Sequence, residues 1–215
     1  MKKIIPAILA KDLEELNLKL NKATSFFDEI QIDIIEEAFA NNKTIELVDI
    51  PSLPAGKNYQ MHLMVTDPVD YLSHCKRLGV KTIIFHNEIE KSTAEIIEKI
   101  REQDFGVFLG IAPQSKLETF EKYISLVDGI LLMGAEPGFT GLEFEPCVLD
   151  KLKVLRSKYP DIIIEIDGGI KKENIKELFD AGANILVVNS MFFKAENTEE
   201  VVRELRELGK IRINE

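Results

Sequence analysis

Eight short apolar runs, separated by charged stretches of helical periodicity, constrain this chain more than any other feature. The runs are 4–9, 29–35, 59–65, 82–85, 105–111, 129–133, 162–166 and 185–188. Their length and richness in Ile, Val, Leu and Phe predict strands. Between them, Leu13, Leu16 and Leu20 recur at helical spacing, as do Ile96, Ile97 and Ile100, and then Leu149, Leu152 and Leu155. Val201, Val202, Leu205 and Leu208 predict a closing helix of the same kind. Strands alternating with helices argue for parallel βαβ units. Eight such units in 215 residues fit an α/β fold of the (β/α)8 TIM-barrel type near its lower size limit. An open doubly wound sheet is the competing architecture. Gly79 and Gly182 stand where helices should end before the fourth and eighth runs. No linker, low-complexity stretch or change of composition divides the chain. A single domain over 1–215 is therefore expected.

Acidic residues number 37 and basic residues 27, a net charge of −10. That balance weighs against nucleic acid and anionic membrane as partners, since both reward basic patches. A small anionic ligand is still compatible, because backbone amides supply local positive potential. Cys75 and Cys147 form neither a metal spacing nor a redox spacing and suit a reducing compartment. The first residues turn acidic too soon for a signal peptide. No window approaches the ~18 apolar residues of a membrane span. A cytoplasmic protein is expected.

Strand periodicity says where the polar residues point. In Glu29-Ile30-Gln31-Ile32-Asp33-Ile34 the isoleucines share one face and Gln31 and Asp33 the other. In a barrel the isoleucines suit the helix side, which puts Gln31 and Asp33 in the lumen. Asp33 is then nearer the C-terminal end, where such barrels carry their chemistry. The seventh run repeats the arrangement, with Glu165 and Asp167 opposite Ile164 and Ile166. In the third run His62 shares a face with Gln60 and Met64. His86, ending the fourth run, reads as a core histidine. An aspartate at a strand end is often only a helix cap. Three polar residues on three lumen faces at one end are harder to explain as core filling, because unpaired buried charge costs several kcal/mol. Two carboxylates and an imidazole can hold a divalent cation or move protons. Carboxylates on opposite faces of a planar enediolate would remove a proton from one side and return it to the other.

Three segments resemble phosphate cradles: Gly134 to Gly141 after the sixth run, Asp167-Gly168-Gly169 after the seventh, and Asn189-Ser190 after the eighth. Loops after strands seven and eight form the common phosphate site of such barrels. The long, glycine-hinged loop after the sixth run could close over a ligand.

With these residues in view, the chain resembles the ribulose-phosphate 3-epimerase family over nearly its whole length. The likeness lies in Ile5-Pro6-Ala7-Ile8-Leu9, Met61-His62-Leu63-Met64-Val65, Phe85-His86-Asn87-Glu88, Pro137-Gly138-Phe139-Thr140-Gly141, Glu165-Ile166-Asp167-Gly168-Gly169 and Ser190-Met191-Phe192-Phe193. The resemblance implies a barrel that interconverts ribulose 5-phosphate and xylulose 5-phosphate, or acts on a related sugar phosphate. It implies one divalent metal ion (Zn, Fe, Mn or Mg) held by Asp33, His62 and Asp167, with Asp33 and Asp167 as the acid/base pair. Met64 and Met133 match methionines packed near the enediolate. Gly138, Gly141, Gly168, Gly169, Asn189 and Ser190 match positions around substrate and phosphate. A homo-oligomer is expected from the likeness alone.

The departures are specific. Gln31 stands where the family has a strand-two His, and an amide oxygen is a poorer ligand for zinc-like ions, shifting preference toward Mn²⁺ or Mg²⁺. Ala7 replaces a small polar residue, Asn189 a glycine and Glu136 an asparagine. Ile34-Ile35-Glu36-Glu37 is expected to add charge beside the site. The alternative reading is a diverged phosphate-binding barrel that has lost the metal and the epimerase activity.

Overall fold

A computed structural model describes residues 2–209 of the chain. The expected domain over 1–215 thus includes residue 1 and residues 210–215, which lie outside the described part. Eight strands close into one barrel in sequence order, β1 to β8, with every neighbouring pair parallel. The strands are β1 Lys3–Leu9, β2 Glu29–Ile35, β3 Asn58–Met64, β4 Thr82–His86, β5 Gly106–Ile111, β6 Gly129–Met133, β7 Ile163–Asp167 and β8 Ile185–Val188. Around them run α1 Leu13–Thr24, α2 Leu72–Arg77, α3 Thr93–Arg101, α4 Leu117–Phe120, α5 Pro146–Lys158, α6 Lys172–Asp180, α7 Ser190–Phe193 and α8 Thr198–Gly209. The closed ring settles the choice against an open sheet.

The helices form where apolar spacing and capping agree. Asp12 caps α1 by accepting from the Glu15 amide at 2.8 Å, and Leu16, Leu20 and Ala23 bury the inner face. Gly79 and Gly182 end α2 and α6 with φ of +73° and +115°, a conformation open to glycine at little cost. The regular alternation breaks after β2, where the connection holds only a 3-10 turn, Leu47–Asp49. Pro51, Pro54 and Gly56 lie in that connection and oppose a helix.

Two cores follow from the two faces of the sheet. The larger lies between barrel and helices and contains Ile30, Ile32, Ile34, Ile164 and Ile166. The smaller fills the lumen with Ile5, Ala7, Ile84, Phe108, Leu131, Met133, Ile185 and Val187. Above and between these apolar residues the lumen carries buried polar ones: Gln31, Asp33, His62, His86 and Glu165.

Candidate active site at the barrel mouth

Strand register sets the level of each polar group. Asp33 lies opposite His62, Gln31 opposite Gln60, and Met133 opposite Asp167. β2 and β7 are separated by β1 and β8 around the ring, so Asp33 and Asp167 face one another across the mouth. His62 Nδ1 is 3.5 Å from an oxygen of each aspartate. The pairing of these three groups expected from strand faces is what the structure shows. Asp167 does not cap α6; Lys171 occupies that position.

Gln31 sits between the acids. Its Nε2 donates to Asp33 Oδ1 at 2.8 Å and to Asp167 Oδ2 at 2.6 Å, and lies 3.3 Å from His62 Nδ1. Its oxygen faces the other way and accepts from Gln60 Nε2 at 2.8 Å. Gln31 therefore presents nitrogen, not the oxygen a ligand needs. Gln60 also donates to Glu165 Oε1 at 2.6 Å, leaving Glu165 Oε2 buried without a partner.

The electrostatics follow from burial and from two acids sharing one site. Burial raises the Asp33 pKa, the nearby Asp167 charge adds to the rise, and hydrogen bonds from His62 and Gln31 oppose it. Burial pulls His62 down, but its contacts with Asp167 and Asp33 outweigh this and raise it to about 9. Glu165 is pushed up to about 8 by burial and by the charge of Asp167. A carboxyl raised from 4.5 to about 8 binds a proton on folding across that interval. Its contribution to stability is complete below about pH 4.5 and is lost as pH rises through about 8. Glu165→Gln keeps the shape of the neutral acid. It is expected to raise the thermal midpoint at pH 8–9 and to flatten this part of the pH profile, as thermal unfolding across pH 5–9 in a chelating buffer would show.

A cavity opens above the acids. Its lining includes Asp33, His62, Met64, Met133, Gly138, Gly141, Asp167, Gly168, Gly169, Asn189 and Ser190. Gln31 is wholly buried beneath them. Gly168 and Gly169 have φ of +102° and +66°. Asn189 turns its amide onto the Ala7 carbonyl, 2.8 Å away. Glu136 is exposed at the rim. Glu36 departs from expectation. Its carboxylate accepts from the Thr66 amide at 2.8 Å, the Thr66 hydroxyl at 2.8 Å and the Tyr71 hydroxyl at 2.6 Å, which turns it away from the cavity. The loop after β6 meets the loop after β2, where Asn42 Nδ2 donates to the Gly138 carbonyl at 2.7 Å.

Two carboxylates, an imidazole and a glycine-lined cavity at the C-terminal mouth define the class: a TIM barrel whose site suits proton transfer on a small ligand. The donor set also fits a divalent cation, since one atom each of Asp33, His62 and Asp167 lie within 4.8 Å of one another. Comparison with known proteins narrows the class. The family model described as the ribulose-phosphate 3 epimerase family matches residues 3–193. Ribulose-phosphate 3-epimerase of Escherichia coli K12 is 33% identical over 97% of this chain and 96% of its own. The Schizosaccharomyces pombe enzyme is 30% identical over 95% and 92%. The chain belongs to the ribulose-phosphate 3-epimerase family. Among solved structures, 3-hexulose-6-phosphate synthase has a TM-score of 0.69 at 18% identity, covering 97% of this chain and 99% of the other. KGPDC from Streptococcus mutans, solved in complex with a sugar phosphate, has a TM-score of 0.74 at 11% identity, covering 97% of each. These two likenesses concern the fold.

Proposed function

We propose that this protein is an isomerase that epimerises a ketose phosphate, ribulose 5-phosphate being the first candidate. Asp33 and Asp167 would be its two proton-transfer groups. One observation carries the reading: both carboxylates reach the same point, the Gln31 amide nitrogen, from opposite sides of the mouth. A substrate carbon above that point has an acid on either face. One carboxylate takes the proton beside the carbonyl, leaving a planar enediolate, and the other returns a proton to the opposite face. The raised pKa of Asp33 suits a group that must hold a proton near neutral pH. Met64 and Met133 line the cavity beside the acids and keep water from that plane. Backbone N–H groups around Gly168, Gly169 and Ser190, with Gly138 and Gly141 in the covering loop, are suited to the phosphate.

Asp33, His62 and Asp167 would hold a divalent ion, zinc, iron, manganese or magnesium, which when bound supplies positive charge to stabilise the enediolate oxygens. The family relation and the KGPDC neighbour with its sugar phosphate support a phosphorylated sugar as ligand. One domain, a cytoplasmic location and a homo-oligomer complete the reading; light scattering on the purified protein reads the last. The test is deuterium wash-in from D2O at the carbon next to the carbonyl, followed by NMR with several metals. Exchange into ribulose 5-phosphate is expected. Its absence across pentulose and hexulose phosphates would overturn the assignment.

A second reading, a barrel that works on phosphates without the ion, is favoured by the orientation of Gln31. Elemental analysis separates the two. Gln31→His replaces a donor amide with an imidazole and is expected to tighten Mn²⁺ or Zn²⁺ binding on the order of tenfold, about 1.4 kcal/mol, by calorimetry. Unchanged affinity would show that position 31 does not reach the ion.

A further inference from the structure

His86 is wholly buried, and the mechanism above gives it no task. Its Nε2 lies 2.9 Å from Nε2 of His62. The two ring centroids are 5.1 Å apart with planes only 22° from parallel. The rings thus meet edge to edge, nearly in one plane, as an N–H···N hydrogen bond requires. On its far side His86 Nδ1 is 3.4 Å from Glu88 Oε2. The other oxygen of Glu88 accepts from the Ala112 amide at 2.9 Å and from the Ser115 hydroxyl. Room for this chain is built in. A Cβ at Gly110 would stand 3.2 Å from His86 Nε2, and the Phe39 ring closes over His86 at 5.0 Å.

The polarity of the chain has one consistent direction. A carboxylate only accepts, so the proton between Glu88 and His86 belongs to His86 Nδ1. With that proton on Nδ1, His86 Nε2 is bare and accepts. The proton between the rings then belongs to His62 Nε2, and His62 Nδ1 is the atom left to face Asp33 and Asp167. We propose that Glu88 and His86 are positioning residues that fix His62 with its proton on Nε2, so that Nδ1 faces the carboxylates as a donor atom for a cation. Histidine ligands commonly donate their second ring nitrogen to a carboxylate or carbonyl. Here an imidazole backed by a carboxylate fills that place, reached from β4 and the loop beyond it. The assignment of His62 as a ligand rests on the reading given under the proposed function.

The test uses the full chain in two measurements. In ¹⁵N NMR of the metal-free protein, the shared proton is expected on His62 Nε2. Glu88→Gln reverses the polarity. Its amide oxygen must stay with the Ala112 N–H, so its NH2 faces His86 Nδ1, and the proton moves to His86 Nε2. Mn²⁺ titration is expected to show affinity about 10–100-fold weaker in Glu88→Gln and in His86→Leu. His86→Gln, which keeps an acceptor in reach of His62, should stay within a few-fold of wild type, a rescue that a purely structural role would not give. If His86→Leu fails to fold, Glu88→Gln still decides, because Glu88 is partly exposed. A wild-type proton found on His86 Nε2, or wild-type Mn²⁺ affinity in Glu88→Gln, overturns the proposal. A wild-type protein that binds no Mn²⁺ overturns the metal reading instead, while the proton position still decides this one.

Discussion

Asp33→Asn and Asp167→Asn are each expected to slow epimerisation by about 10²–10⁴-fold at saturating metal. The two losses should differ in kind. Each acid faces one side of the enediolate, so each variant retains an acid on the other side only. Residual deuterium wash-in should survive in one epimer for Asp33→Asn and in the opposite epimer for Asp167→Asn. NMR of both epimers after incubation in D2O reads this directly. Residual exchange into the same epimer in both variants would refute opposite-face proton transfer, even if turnover fell. Both residues also belong to the cation set, so the comparison holds only where metal occupancy has been measured.

The second large effect is expected at a residue that touches no substrate. Gly134 N–H donates to the Asp167 carbonyl at 2.6 Å, and the Gly134 carbonyl accepts from the Glu145 amide at 2.7 Å. The residue thus ties the ends of β6 and β7 to the start of α5. A Cβ there would run into the Gly168 carbonyl oxygen and press on the Phe144 ring. A rigid backbone atom cannot yield as a side-chain tip can. Gly134→Ala is therefore expected to cost about 1–3 kcal/mol of stability, in the range of overpacked cores. Because the obstruction lies one residue beyond Asp167, turnover should fall by about 10²-fold from misplacement of the acid. Thermal unfolding and steady-state kinetics on the same preparation check both parts. A variant as stable and active as wild type would show that the loops separate without moving Asp167.

Gly134 marks a boundary of sequence reading. The glycines after β6 suggest a phosphate cradle as a set. Which of them serves the ligand and which serves packing depends on what stands opposite, here the Gly168 carbonyl from another strand. Glu36 gives the same lesson. Its position beside Asp33 suggests charge at the site, yet Thr66 and Tyr71, from the segment after β3, draw it away. The missing helix after β2 was legible in Pro51, Pro54 and Gly56.

Period-two alternation by itself determined that Gln31, Asp33, His62 and Asp167 point into the lumen, because successive side chains in a strand take opposite faces whatever lies beyond them. The order of strands and helices likewise determined the barrel and the end at which the acids meet. Tertiary structure alone decided how the polar atoms turn: the nitrogen of Gln31 toward the acids, its oxygen toward Gln60, and Nε2 of His62 toward His86. An amide or imidazole can present a donor or an acceptor in one direction, and burial obliges it to match its neighbours. Those neighbours come from other strands, so the match exists only once the barrel has closed.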